Sequence, residues 1–322
     1  MVIKMIEIKG LQKNYKNFSV LKGVDLFVGK GEVFGFIGKN GCGKSTTMNI
    51  ITGLLAKDAG SVRIGGEEVV TAGRVQVGYL PEAPALFEYM NCRQYLNYIG
   101  AACRYSGDLY RRTEEVIRII GLQDSADRKI GGYSRGMKQR VGIGAAIYAN
   151  YDIVILDEPT SALDPQGRAE VMQIIETLKQ MGKTVLLSTH ILTDVERVAD
   201  RVGILNDGVI AESGTLPELY RKYASDTVSF ELSDFSQPLC EKLLQTDFVA
   251  SFRSDQKVFH VQLKGDIAQS APRLFRFLAE QPETVVRFES QTTSLEQIYM
   301  QVCYRAAARS SAQAAAQQGG GF

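Results

Sequence analysis

The stretch Glu32 to Thr47, EVFGFIGKNGCGKSTT, limits what this 322-residue chain can fold into more than any other part of it. Val33 to Ile37 has the length and composition of a buried strand. Gly38, Gly41 and Gly43 interrupt it, and a helical pattern begins at Lys44 and runs to Leu55. Inside the break lies G-x-x-x-x-G-K-S, Gly38 to Ser45, the pattern of a phosphate-binding loop. Glycines let successive backbone N–H groups curl into an anion-holding nest and approach oxygen with no Cβ in the way. The new helix turns its free N–H groups and positive dipole end towards the same anion. Lys44 adds a mobile charge for β- and γ-phosphates, and the Ser45 hydroxyl suits Mg²⁺. A glycine-rich turn matches this pattern by chance in about one chain in a hundred of this length, and the strand–loop–helix context makes chance a poor account. The stretch predicts a nucleotide site.

The rest of the composition excludes several classes. Lys+Arg of 37 against Asp+Glu of 36 leaves a net charge of +1, so no electrostatic grip on nucleic acid or anionic lipid is expected. Five scattered cysteines with no C-x-x-C pair support neither a disulfide framework nor a zinc site and fit a reducing cytoplasm. MVIKMIEIKG lacks the apolar stretch of a signal peptide, and no segment approaches 18 uninterrupted apolar residues.

Strands are expected at residues 2–9, 24–28, 60–64 and 76–80, and Pro84 to Gly121 turns to helical spacing with dense aromatics, Phe87, Tyr89, Tyr95, Tyr98 and Tyr105. Buried strands at Asp152 to Leu156 and Thr184 to Ser188 alternate with a helix at Val171 to Met181, which argues a parallel, layered α/β core. After Tyr223 to Asp226 the pattern resets to strand–helix–strand–strand–helix–strand, the ferredoxin-like plan. The tail from Arg305 to Phe322 is low-complexity and is expected to be disordered.

Two more elements turn a phosphate loop into a mechanism. Ile153 to Leu156 runs straight into Asp157 and Glu158. A strand ending in Asp places that carboxylate beside Mg²⁺ at the carboxyl edge of such a sheet, and Glu158 is then positioned to orient or deprotonate the attacking water. The second element is Gly132 to Arg140, GYSRGMKQR.

At this point the chain resembles the ATP-binding subunit of an ABC (ATP-binding cassette) transporter, over about residues 5 to 218. The resemblance implies a P-loop NTPase cassette, with a RecA-like core, an antiparallel β-subdomain and a helical subdomain at about 84–150, all within residues 1–222. A small α+β ferredoxin-like domain at 223–303 and the tail at 304–322 complete the expected division. Tyr15 looks like the aromatic that stacks on adenine, and the loop Gly38, Lys39, Asn40, Gly41, Cys42, Gly43, Lys44, Ser45, Thr46 like Walker A. Tyr133 to Met137 resembles the signature motif, Asp157-Glu158 the Walker B pair, Ser161 to Asp164 the D-loop, and His190 the switch histidine. In that family Ser134 and Gly136 meet ATP held by a facing subunit, and Asp164 contacts that subunit. The implied cofactors are ATP and Mg²⁺, with Ser45, Glu82 and Asp157 as metal ligands and Glu158, His190 and Lys44 as the catalytic set. Cys42, beside a helix N-terminus, is a candidate for a lowered thiol pKa.

Two positions depart from the commonest family pattern. Glu82, in YLPE, replaces a glutamine, and the signature reads YSRGM. The ending Thr293-Ser294-Leu295-Glu296-Gln297-Ile298-Tyr299 is similar to that of cassettes from ABC-2-type bacterial exporters, including drug, bacteriocin and self-immunity systems. The expectation is an ATPase that homodimerises on ATP and drives export by a separately encoded ABC-2-type permease. It would lie on the cytoplasmic face of the membrane, contact the membrane only through that permease, and bind no nucleic acid. The alternatives are a ribosome- or DNA-associated ABC ATPase and an importer ATPase.

Overall fold

The computed structural model describes residues 3–16, 18–73, 75–223, 226–265, 267–290 and 293–318. The chain up to Leu216 and from Tyr299 onward forms one compact unit, and Pro217–Ile298 forms another. In the first, β1 (Lys4–Tyr15) and β2 (Phe18–Gly29) bury Ile6, Ile8, Leu11, Val24, Leu26 and Val28, and solvated residues lie between most of these. Register shifts along their antiparallel pairing let both strands run 12 residues, well beyond the short alternating stretches that mark them in the sequence. β3 (Val33–Ile37) is buried at every position and opens onto the phosphate loop. α1 (Lys44–Ile51) ends before the expected Leu55, because Gly53 turns the chain at φ 73° and the N–H groups of Leu54 and Leu55 fold back onto Asn49 O. β4 (Ala59–Ile64) and β5 (Glu67–Glu68) complete an antiparallel sheet in the order β2-β1-β4-β5.

β6 (Gly78–Leu80) precedes three helices, α2 (Cys92–Ala102), α3 (Leu109–Ile119) and α4 (Arg135–Ile147). A capping box between Asn91 and Gln94 starts α2, Asp108 caps α3 and Ser134 caps α4. β7 (Ile153–Asp157), α5 (Pro165–Gln180), β8 (Thr184–Thr189), α6 (Leu192–Val198), β9 (Arg201–Asn206) and β10 (Val209–Thr215) follow. The main sheet has the order β10-β9-β3-β8-β7-β6, parallel throughout except for the β9–β10 hairpin. A single apolar cluster, including Ile6, Val24, Phe34, Phe36, Met48, Ile155 and Leu186, joins both sheets and α1. Because β3, β8 and β7 are parallel neighbours, their carboxyl ends lie side by side. The loop after Ile37, the pair Asp157-Glu158 and His190 therefore emerge at one sheet edge, where open α/β sheets bind ligands.

α7 (Leu216–Lys222) leads to the second unit. There β11 (Thr227–Leu232), α8 (Gln237–Leu244), β12 (Val249–Asp255), β13 (Val258–Leu263), α9 (Ile267–Ala279) and β14 (Val285–Ser290) build an antiparallel sheet in the order β12-β13-β11-β14. That is the ferredoxin-like arrangement. Its core includes Phe230 stacked on Phe259, ring centroids 4.9 Å apart. α10 (Leu295–Gln318), with Leu295, Ile298 and Val302 buried, runs on through the alanine-rich stretch. Alanine is the strongest helix former, and low complexity alone does not break a helix already started. The final residues, 319–322, lie outside the described set.

Candidate functional site

The loop is built by close approach. A Cβ on Gly38 would lie 2.6 Å from the backbone oxygen of Leu205, so only glycine fits as the chain leaves β3. Gly43 takes φ 111° as the N-cap of α1 and offers no side-chain cap, which leaves the first N–H groups of the helix for a ligand. Lys44, 5% exposed, curls back so that Nζ donates to Gly38 O at 2.8 Å and Lys39 O at 3.2 Å.

The carboxylates come from the end of β7. Asp157 is buried, and its Oδ1 accepts a short hydrogen bond from Ser188 Oγ on β8. The Glu158 N–H donates to Ser188 Oγ and Ser188 O, both at 3.1 Å, so one serine fixes both acidic residues. Glu158, 5% exposed, has Oε1 3.2 Å from Lys44 Nζ and Oε2 2.8 Å from His190 Nδ1. The contact with Lys44 is an ion pair without hydrogen-bond alignment. His190 is 42% exposed on its outer side.

A cavity of about 300 Å³ gathers Asn40, Gly41, Gly43, Lys44, Ser45, Thr46, Glu82, Glu158, Ser161 and His190. Most of the expected phosphate-handling residues therefore share one wall system, including Glu82 on the segment after β6. Asp157, the residue before Glu158, is not among the lining residues. Among the described residues no group of three or more His, Cys, Asp or Glu could cage a metal. Mg²⁺ needs no such cage: it takes one or two carboxylates and completes its shell with phosphate oxygens and water. The hydroxyl of Ser45 and the carboxylates of Glu82 and Asp157 are a hard-oxygen donor set of that kind.

Other expected residues stand apart from this cavity. Tyr15, 47% exposed at the end of β1, has Lys13 Nζ 5.6 Å from its ring centre and does not line it. Ser134 caps α4 by accepting from Met137 N at 3.2 Å, and Asp164 caps α5 by accepting from Gly167 N at 3.1 Å. Cys42 corrects an expectation. Its side chain packs against the core and the Gly38 backbone, and burial pushes the thiol pKa up against the opposing pull of Lys44. Ser161, from the expected D-loop, lines the cavity, whereas Ser188 carries no motif that marks it in the sequence. Ser188 ends the buried TVLLS strand, and only the β7–β8 register shows that it faces Asp157.

A second cleft, about 350 Å³, lies between β6, α2 and α4 and is lined by Leu80, Pro81, Pro84, Tyr95, Ile99 and Gly142 among others. Near it Phe87 contacts the rings of Tyr89, Tyr95 and Tyr98 at 5.8, 6.0 and 5.2 Å between centroids. Tyr95 is core, whereas Tyr89 is 69% exposed.

Comparison with known proteins places this geometry in context. The ABC transporter family model matches residues 21–161, and the model of the C-terminal domain of DrrA1-3-like ATP-binding proteins matches residues 214–303. The ABC transporter ATP-binding protein YxlF of Bacillus subtilis strain 168 is 34% identical, over 93% of this chain and 100% of its own. The daunorubicin/doxorubicin resistance ATP-binding protein DrrA of Streptomyces peucetius is 31% identical over 92% of both chains. A solved dimeric ATP-binding cassette in a post-hydrolysis state, bound to ADP and Pi, is 27% identical and superposes with a TM-score of 0.60 over 66% of this chain and 99% of that one.

Proposed function

Because the chain belongs to the ATP-binding subunits of ABC transporters, we propose that it powers export by a separate ABC-2-type membrane permease, working as a dimer of two cassettes. It is an ATP-hydrolysing cassette of the group that serves drug- and bacteriocin-resistance systems, and it carries the C-terminal domain found in DrrA-type proteins. Among its described residues no helix is long and apolar enough to cross a membrane. A peripheral place at the cytoplasmic face, held by the permease, follows from that reading.

The observation that carries the proposal is the shared cavity of Lys44, Ser45, Glu82, Glu158 and His190. In the proposed mechanism the free N–H groups of the loop and of α1 hold the phosphates, and Lys44 neutralises β- and γ-oxygens. Ser45 and Asp157, with Glu82, would hold Mg²⁺, which supplies charge neutralisation on the transferring group. Glu158 takes the proton of the attacking water, and His190, which lines the same cavity, orients Glu158 through Oε2. Ser134 and Asp164, exposed and outside their own chain's cavity, would complete the site of a second copy. The apolar cleft and the Phe87–Tyr89 surface suit a helix of the permease, and Glu82, directly after the cleft residue Pro81, links that cleft to the phosphates.

The test is ATP turnover and ATP-dependent mass by light scattering. The expected result is that Glu158→Gln abolishes hydrolysis and traps a dimer with ATP, while Ser134→Ala in the same background prevents dimerisation. Hydrolysis that survives Glu158→Gln, or a Glu158→Gln protein that stays monomeric with saturating ATP and Mg²⁺, would overturn it.

A further inference from the structure

Asp194 lies in the first turn of α6, four residues after His190, and is only 6% exposed. A buried carboxylate survives only when its charge and lone pairs are taken up. Both oxygens of Asp194 are taken up. Oδ2 accepts from Thr160 Oγ1 at 2.7 Å, and Oδ1 accepts from Arg168 at 2.7 Å. The same Arg168 nitrogen reaches Thr193 Oγ1 at 3.3 Å.

These partners come from separate segments. Thr160, itself buried, is two residues past Glu158 in the turn that closes through Ser161 N to Glu158 O at 3.1 Å. That turn holds Glu158 at φ 48°, a left-handed conformation that a non-glycine residue keeps only when its surroundings enforce it. Arg168 belongs to the start of α5, with its N–H on Asp164 O at 3.0 Å. α5 in turn packs on α4: a Cβ on Gly136 would lie 3.6 Å from Gly167 Cα, and Arg140 pairs with Glu170 at 3.2 Å. Contacts therefore run without a gap from Glu158 through Thr160, Asp194, Arg168 and α5 to the helix capped by Ser134.

We propose that Asp194 is a positioning residue for hydrolysis, clamping the Glu158 turn, the His190 segment and α5 into one unit. It touches no reacting atom. The clamp sets the angle of Glu158 and the approach of His190, and through α5 and α4 it ties that geometry to the Asp164 and Ser134 surface that a second copy would meet. The inference rests on the proposed roles of Glu158 and His190.

The experiment measures kcat and KM for ATP, equilibrium binding of a fluorescent ATP analogue, and thermal midpoint. Asp194→Ala is expected to lower kcat by about tenfold or more while binding changes by less than about threefold. Arg168→Ala should repeat the split, Arg168→Lys should recover part of it, and the double variant should be no worse than Asp194→Ala alone. Asp194→Asn keeps the shape and the bond from Thr160 and provides a reading if Asp194→Ala fails to fold; its kcat should fall between wild type and Asp194→Ala. Wild-type kcat in both Asp194 variants, additive losses in the double variant, or binding lost in step with kcat would overturn the clamp. Glu158→Gln separates the two failures. If it retains hydrolysis, the site assignment is wrong; if it is inactive while the Asp194 variants turn over normally, only the clamp is wrong.

Discussion

Lys44 and Glu158 face each other across 3.2 Å, each only 5% exposed, so the residue proposed to hold phosphate and the residue proposed to activate water form a buried ion pair. One ammonium cannot serve both partners fully. Phosphate oxygens offer Lys44 more negative charge than one carboxylate, and drawing it towards them leaves Glu158 with His190 alone. In the proposed mechanism the pair thus ties release of the base to arrival of nucleotide.

This relationship predicts a stability pattern. Lys44→Ala leaves a buried carboxylate short of a cation and should cost about 3 kcal/mol in denaturant unfolding without nucleotide. Adding Glu158→Gln to Lys44→Ala removes the stranded charge and should restore at least half of the loss. Costs that simply add in the double variant would show that the two side chains do not stabilise each other.

Cys42 is predicted to be a packing residue. Its thiol, pushed up by burial, should react with iodoacetamide at pH 7.5 several-fold more slowly than a free thiol, and ATP should protect it little. Cys42→Ala should bind ATP within about threefold of wild type. Fast, ATP-protected labelling would restore the reactive-thiol reading.

The phosphate loop, the Asp157-Glu158 pair and the ferredoxin-like order were legible because each is local: a strand's apolar run, a turn's glycines, or a switch of period. What stayed hidden depends on register between strands distant in sequence. Ser188 meets Asp157 only because β7 pairs in parallel with β8, and Thr160 meets Asp194 only because the segments after those strands fold over the same edge. The end of α1 escapes the sequence pattern for a different reason. Leu55 keeps the helical spacing of Met48 and Ile51, but Gly53 takes a left-handed turn that periodicity does not register. The extension of α10 through the alanine-rich stretch escapes a reading by composition, which does not weigh helix propensity.

Tyr89 should separate ATP chemistry from permease coupling. Its ring is 69% exposed and, among the described residues, stacks on Phe87 alone, so Tyr89→Ala removes little core. Hydrolysis by the purified chain should change by less than about twofold, whereas co-purification with the permease should fall by about tenfold or more. Equal loss of both would assign the ring to core packing.

Alkaline pH should weaken the cassette unit before neutral or mildly acidic pH does. Burial pushes the Cys92 thiol from its ordinary value of 9.0 up to about 12, and the Tyr79 and Tyr133 phenols from 10.0 up to about 12. In each case the folded state favours the neutral form. The contribution is therefore complete below the unfolded value and is lost as pH rises from that value towards the folded one, by at most about 1.4 kcal/mol per pH unit per group. The thermal midpoint should be level from pH 7 to about pH 8.5 and fall progressively from about pH 9. Cys92→Ala lowers the whole curve by leaving a small cavity, but it should make the segment between about pH 8.5 and 9.5 shallower, because cysteines ionise there in the unfolded chain ahead of most of the tyrosines. A slope in that segment identical to wild type would show that Cys92 ionises as freely in the fold as outside it.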